Sequence, residues 1–135
     1  MKTFVILLGS AALAACAAGG SEAPMRADAD GEAVLARAID GRTAGPPVAC
    51  VRQRDIRNTR GGGGNTILFD GTGGTVYVNR ARGSCPAILP WHAISHRSIS
   101  TNICTGEVVR IFDPQTGIEF GSCSLGEFVP YRRRS

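Results

Sequence analysis

Lysine is almost missing from this chain. Lys2 is the only one, and every later cation is an arginine or one of two histidines. The glycine run at residues 61–64 therefore has no Lys-Ser/Thr behind it. No helical pattern follows it either, which excludes a phosphate-binding loop. The five cysteines include no C-x2-C pair, and the last four are spaced 35, 19 and 19 residues apart. Zinc ribbons need a close knuckle that this spacing lacks. No G-x-S-x-G elbow is present, so Ser95 and Ser98, though near the histidines, have no hydrolase framework. Aromatic residues make up only 6% of the chain. Finally, no apolar run approaches the ~20 residues of a spanning helix.

What is there begins with an address. Lys2 supplies a positive start, and Phe4-Val5-Ile6-Leu7-Leu8 opens an apolar run that continues through small residues to Ala15. This is the form of a signal peptide over residues 1–15. It ends in Leu13-Ala14-Ala15-Cys16, which resembles a bacterial lipobox. That resemblance implies a diacylglyceryl group on Cys16, cleavage just before it, and a chain held at the envelope and facing the periplasm. Ala17 after the cysteine points to the outer membrane. Assigning Cys16 to lipid leaves Cys50, Cys85, Cys104 and Cys123, an even set suited to two disulfides in an oxidising compartment.

Charge divides along the mature chain. Residues 16–49 hold three arginines against five acids, and residues 50–135 hold eleven arginines against six acids. The second part is thus basic and suits a partner carrying anionic lipid or phosphate. Residues 17–31 read as a flexible spacer. Val34, Leu35, Ala38 and Ile39 have helical spacing, which predicts a short helix over 32–40 with Asp30 as N-cap and Gly41 past its end. Pro46-Pro47 marks residues 43–48 as extended linker. The division is then 1–15 signal peptide, 16–48 linker with a short helix, and 49–135 a β-rich domain.

Within that domain apolar stretches alternate with Gly/Pro turns every 8–12 residues, predicting an all-β barrel or sandwich of six to seven short strands. Residues 50–57 read as one polar strand, and residues 70–74 close a hairpin. Asp113-Pro114-Gln115-Thr116-Gly117 closes another. Residues 132–134 read as an exposed basic tail. A core of this size is modest, and two disulfides at roughly 2–4 kcal/mol each are a large share of net stability.

Four cysteines allow three pairings. Closing the second hairpin on residues 114–117 sets Ile111 opposite Phe120 and Cys123 opposite Val108. Cys104 is then offset from Cys123 by about four residues, roughly 13 Å at ~3.3 Å per residue. A bridge tolerates about 7 Å between Cα atoms, which disfavours Cys50–Cys85 with Cys104–Cys123. Of the other two, Cys50–Cys123 with Cys85–Cys104 joins the first strand to a late one and locks residues 86–103 at their base, and we select it. Cys50–Cys104 with Cys85–Cys123 stays open.

The landmarks Cys50…Arg54-Asp55-Ile56, Val76-Tyr77, Gly83-Ser84-Cys85-Pro86, Ile103-Cys104-x-Gly106-Glu107 and Gly121-Ser122-Cys123 resemble a group of short proteobacterial envelope proteins catalogued as a domain of unknown function. The likeness spans roughly residues 50–131. It implies a secreted, cysteine-stapled β domain and carries no activity with it.

Three groups of residues are candidates for a site. His92 and His96 stand at i and i+4, but no acid lies between Pro86 and Gly106, so a third metal ligand would have to come from elsewhere, Asp55 or Glu107. Trp91, Tyr77 and Tyr131 could line a glycan platform, although so few aromatics suit a core or rim. Arg52, Arg54 and Arg57, with Arg60, form the most coherent basic cluster and the candidate anion-binding residues. In a strand, though, Arg57 falls on the face opposite Arg52 and Arg54. The expectation is a lipid-anchored, non-enzymatic binding module with neither metal nor cofactor and no nucleic-acid partner. Its partner would be an envelope protein, a glycan or anionic lipid. A periplasmic inhibitor of a cell-wall hydrolase is the alternative, and a hydrolase using His92 or His96 the more distant one.

Overall fold

The computed structural model describes residues 22–134. The expected signal peptide and Cys16 lie outside the described residues. No helix among the described residues is long and apolar enough to cross a membrane. The fold is mostly β, as expected, but with ten strands among the described residues rather than six or seven.

Its centre is β4 (Thr66–Gly71). Thr66, Ile67, Leu68 and Phe69 are all buried, the unbroken run of a strand covered on both faces. It pairs antiparallel with β3 (Ile56–Gly61) and β5 (Val76–Arg80), and the β4–β5 turn, Thr72–Gly74, falls within the stretch 70–74 read as a hairpin turn. Gly73 and Gly74 in that turn have φ of 69° and 74°, backbone that side chains with a Cβ rarely adopt. Strands β10 (Phe128–Arg133) and β1 (Arg42–Ala44) complete a sheet of order β1-β10-β5-β4-β3. Two smaller sheets lie against it. One pairs β2 (Cys50–Arg52) with β7 (Asn102–Cys104), and the other orders β6 (Ala93–His96), β8 (Val108–Phe112) and β9 (Glu119–Ser124) as β6-β8-β9.

Period-2 alternation divides the core into two layers. Ile67, Phe69 and Phe128 meet Val51, Ile103, Val109 and Ile111 of the small sheets, with the Phe69 and Phe128 rings edge to face at 5.3 Å. Leu68, Val76 and Val78 point the other way and meet helix α1 (Glu22–Ile39) through Ala38, with Val34, Leu35 and Ile39 around it. The arrangement is a β-sandwich backed by one helix. Buried Asn79 ties the layers at one end: its amide donates to the Gly126 carbonyl and accepts from the Gly126 N–H, at 2.8 and 2.9 Å.

Several expectations need correction. The helix starts at Glu22, not residue 32, so Asp30 is inside it rather than capping it. Pro24 is tolerated because N–H groups in the first turn have no helical acceptor. Residues 16–48 are therefore not simply linker. Helix α1 packs on the large sheet, β1 pairs with β10, and Val48 bridges to Phe128. The folded unit accordingly extends upstream of residue 49. Arg132 and Arg133 belong to β10 rather than to a tail. Residues 50–57 are two strands separated by a 3-10 turn, Gln53–Asp55.

The disulfides are Cys50–Cys104 and Cys85–Cys123, so the selected pairing Cys50–Cys123 with Cys85–Cys104 is overturned. Cys50 and Cys104 are direct cross-strand partners in the β2–β7 ladder, with Cα atoms 4.1 Å apart. Beyond β5 the chain leaves the large sheet, and Arg82 bridges to Ser124. This brings Cys85 to Cys123 with a Cα separation of 5.1 Å. The Cys104–Cys123 link is absent, as the hairpin geometry required. The register of that hairpin begins with Phe112 opposite Glu119 but slips at a bulge on Phe120, so Cys123 faces Val109 rather than Val108.

Candidate anion-binding cleft

The β2–β7 ladder carries its disulfide at one end and Arg52, paired with Asn102, at the other. Past Arg52 the chain tightens into the 3-10 turn, and the Gln53 N–H donates to the Thr101 carbonyl at 2.9 Å. That bond pins the turn against the loop preceding β7. Arg52 and Arg54 consequently approach each other through a turn rather than through strand alternation. Together with Gln53 and Thr101 they line an open cleft of about 570 Å³.

Asp55 organises the two cations. Arg52 Nε donates to Asp55 Oδ2 at 2.7 Å, and Arg54 Nε lies 4.0 Å from Oδ1 of the same carboxylate. Both contacts use Nε, and the side chains are 61% and 76% exposed, so the terminal nitrogens remain available to solvent. Asp55 is only 26% exposed. A shielded carboxylate thus holds Arg52 by a hydrogen bond, with Arg54 near it at 4.0 Å, and leaves a local charge of about +1 beside the cleft. Arginine's planar fork suits oxyanions because two parallel N–H groups can meet two oxygens.

Of the three candidate arginines, the structure brings Arg52 and Arg54 to the cleft. Arg57 is exposed on β3 and does not line it. Arg60 is paired elsewhere, with Asp70 at 3.0 Å. Sequence reasoning offered Asp55 only as a metal ligand, not as the partner of Arg52, and missed Gln53 and Thr101. The i, i+3 spacing of Arg52 and Asp55 was a readable turn signal, whereas Thr101 arrives only through long-range pairing.

The other candidates are not gathered. His92 precedes β6 and His96 ends it, four residues apart or about 13 Å along an extended chain, too far to share one ion. His92 Nδ1 accepts the Leu89 N–H at 3.2 Å, and its ring stacks on Phe120 at 4.5 Å. His96 pairs with Val109, and its Nε2 is buried without a partner among the described residues. Ser98 Oγ donates to the Asn102 carbonyl at 2.6 Å. Tyr77 packs on one face of the large sheet and Tyr131 on the other, so they cannot line one platform with Trp91. Among the described residues no three of His, Cys, Asp or Glu come together as a metal site. Comparison with protein-family models, curated proteins and solved structures returns no match.

Proposed function

We propose that this chain is a lipid-anchored envelope protein and that its β-sandwich is a non-enzymatic binding module, with the Arg52–Asp55–Arg54 cleft receiving an oxyanion of an envelope component. The observation that carries this reading is the pair of exposed guanidinium groups, Arg52 bonded to Asp55 and Arg54 beside it, lining one cleft. The lipobox-like segment, the basic balance of residues 50–135 and the even set of disulfide cysteines support the compartment. Two exposed guanidinium groups at one open cleft are a binding geometry for an oxyanion. The Cys50–Cys104 bond holds it in place, so little ordering remains to be done when a ligand arrives.

Titration with pyrophosphate and with an oligogalacturonate separates a phosphate ligand from a carboxylate glycan. Binding should weaken with salt. Arg52→Gln and Arg54→Gln should each reduce affinity about tenfold, the scale of one charge-assisted hydrogen bond. Arg57→Gln should change it less than twofold. Equal losses in all three variants would indicate diffuse charge attraction and overturn the cleft.

A further inference from the structure

Helix α1 gives the domain a direction relative to its anchor. At its C-terminal end Arg42 Nη1 donates to the Ala38 carbonyl and Nε to the Gly74 carbonyl, at 2.8 and 2.9 Å, placing that end at the β4–β5 turn. Nine residues from its start, Gly31 lies on the backbone of Gly63 at the opposite end of β4. The helix therefore runs along β4, and its first nine residues project past the glycine turn by about 13 Å at ~1.5 Å per residue. Only residues 17–21 separate Glu22 from Cys16. Six residue steps span at most about 20 Å.

The end of the domain facing that anchor is the apolar one. Gly63 N–H donates to the Ile88 carbonyl, and Leu89 N–H to His92. The His92 ring lies between Trp91 and Phe120, with centroids at 6.1 and 4.5 Å. Trp91, Ile118 and Phe120 are 55%, 61% and 46% exposed, half of the large apolar side chains that the described residues leave exposed. The bulge at Phe120 turns that ring onto His92. Amphipathic rings such as tryptophan favour the headgroup level of a bilayer.

We propose that Trp91, Ile118 and Phe120 seat against the phospholipid surface that holds the lipid of Cys16, an inference that rests on the lipid-anchored reading. The tether is too short to let the domain roam. A weak apolar contact gains from the high local concentration that linkage confers. The patch itself carries no cation among its three side chains, so the contact is one with zwitterionic lipid, driven by apolar burial. The Arg52–Arg54 cleft lies at the far end of the fold, beyond β6 and the loop through Thr101, and so faces away from the bilayer.

Trp91 is the only tryptophan in the chain, and it reports its own surroundings. The full lipoprotein is reconstituted into phosphatidylcholine–phosphatidylethanolamine vesicles with and without brominated acyl chains. Bromine should quench Trp91 emission at least twofold. Ile118→Ser/Phe120→Ser, equally lipidated by mass spectrometry and equally afloat with the vesicles, should lose at least half of that quenching. A flexible spacer of about 20 Gly/Ser residues after Gly20 should lose a similar share while flotation is kept. Unquenched Trp91 in a lipidated protein that floats overturns the surface contact and leaves the anchor standing. Absence of lipid mass on Cys16 removes the anchor, and the contact with it.

Discussion

Gly31 tests two opposing effects at one atom. In an exposed helix interior, alanine is more favourable than glycine by about 1 kcal/mol. Here the added Cβ would overlap the Gly63 backbone, and overpacking of this kind costs roughly 1–3 kcal/mol. The backbone contact should win, because no flexible side chain is there to move aside. Gly31→Ala is expected to lower the melting temperature by a few degrees, while Ala36→Gly on the exposed face should lower it through propensity alone. A Gly31→Ala protein that melts higher than wild type would mean that α1 does not dock against the glycine turn. The sequence showed Gly31 and the run at 61–64 as separate glycines. Their closeness is a property of the folded chain. Arg52 and Arg54 were legible as cations, yet the reason they converge, a 3-10 turn closed onto Asp55, was hidden under an expected strand.

At the scale of elements, the hairpins β4–β5 and β8–β9 were readable because apolar alternation and turn residues are local signals. Strands β1, β2 and β7 have three residues each, too few for a period to show, and they exist only through partners distant in sequence. The disulfide choice failed for the same reason: the β2–β7 ladder sets Cys50 against Cys104 without leaving a local trace. Digestion with an Arg-specific protease under non-reducing conditions tests the result. Cys50 falls in peptide 43–52, Cys85 in 83–97, Cys104 in 98–110 and Cys123 in 111–132. The expected linked species are 43–52 with 98–110 and 83–97 with 111–132. Recovery of 83–97 joined to 98–110 would contradict the structure.

For the whole molecule, the lipid reading makes a plain prediction. Cys16→Ser should leave an unprocessed precursor that incorporates no labelled fatty acid, and continued incorporation would reject the lipobox. The two disulfides also matter beyond stability, because they interleave: the loop from Cys50 to Cys104 and the loop from Cys85 to Cys123 share residues 85–104. Cut the chain once anywhere between Cys50 and Cys123, and at least one bond still joins the pieces. Within the shared stretch both bonds do. A protease that nicks an exposed loop such as the one around Ile99 would leave a molecule of unchanged covalent membership, with Thr101 still tied to the arginines of its cleft. On the lipid-anchored reading, the nicked domain would leave its membrane only through a further cut between Cys16 and Cys50.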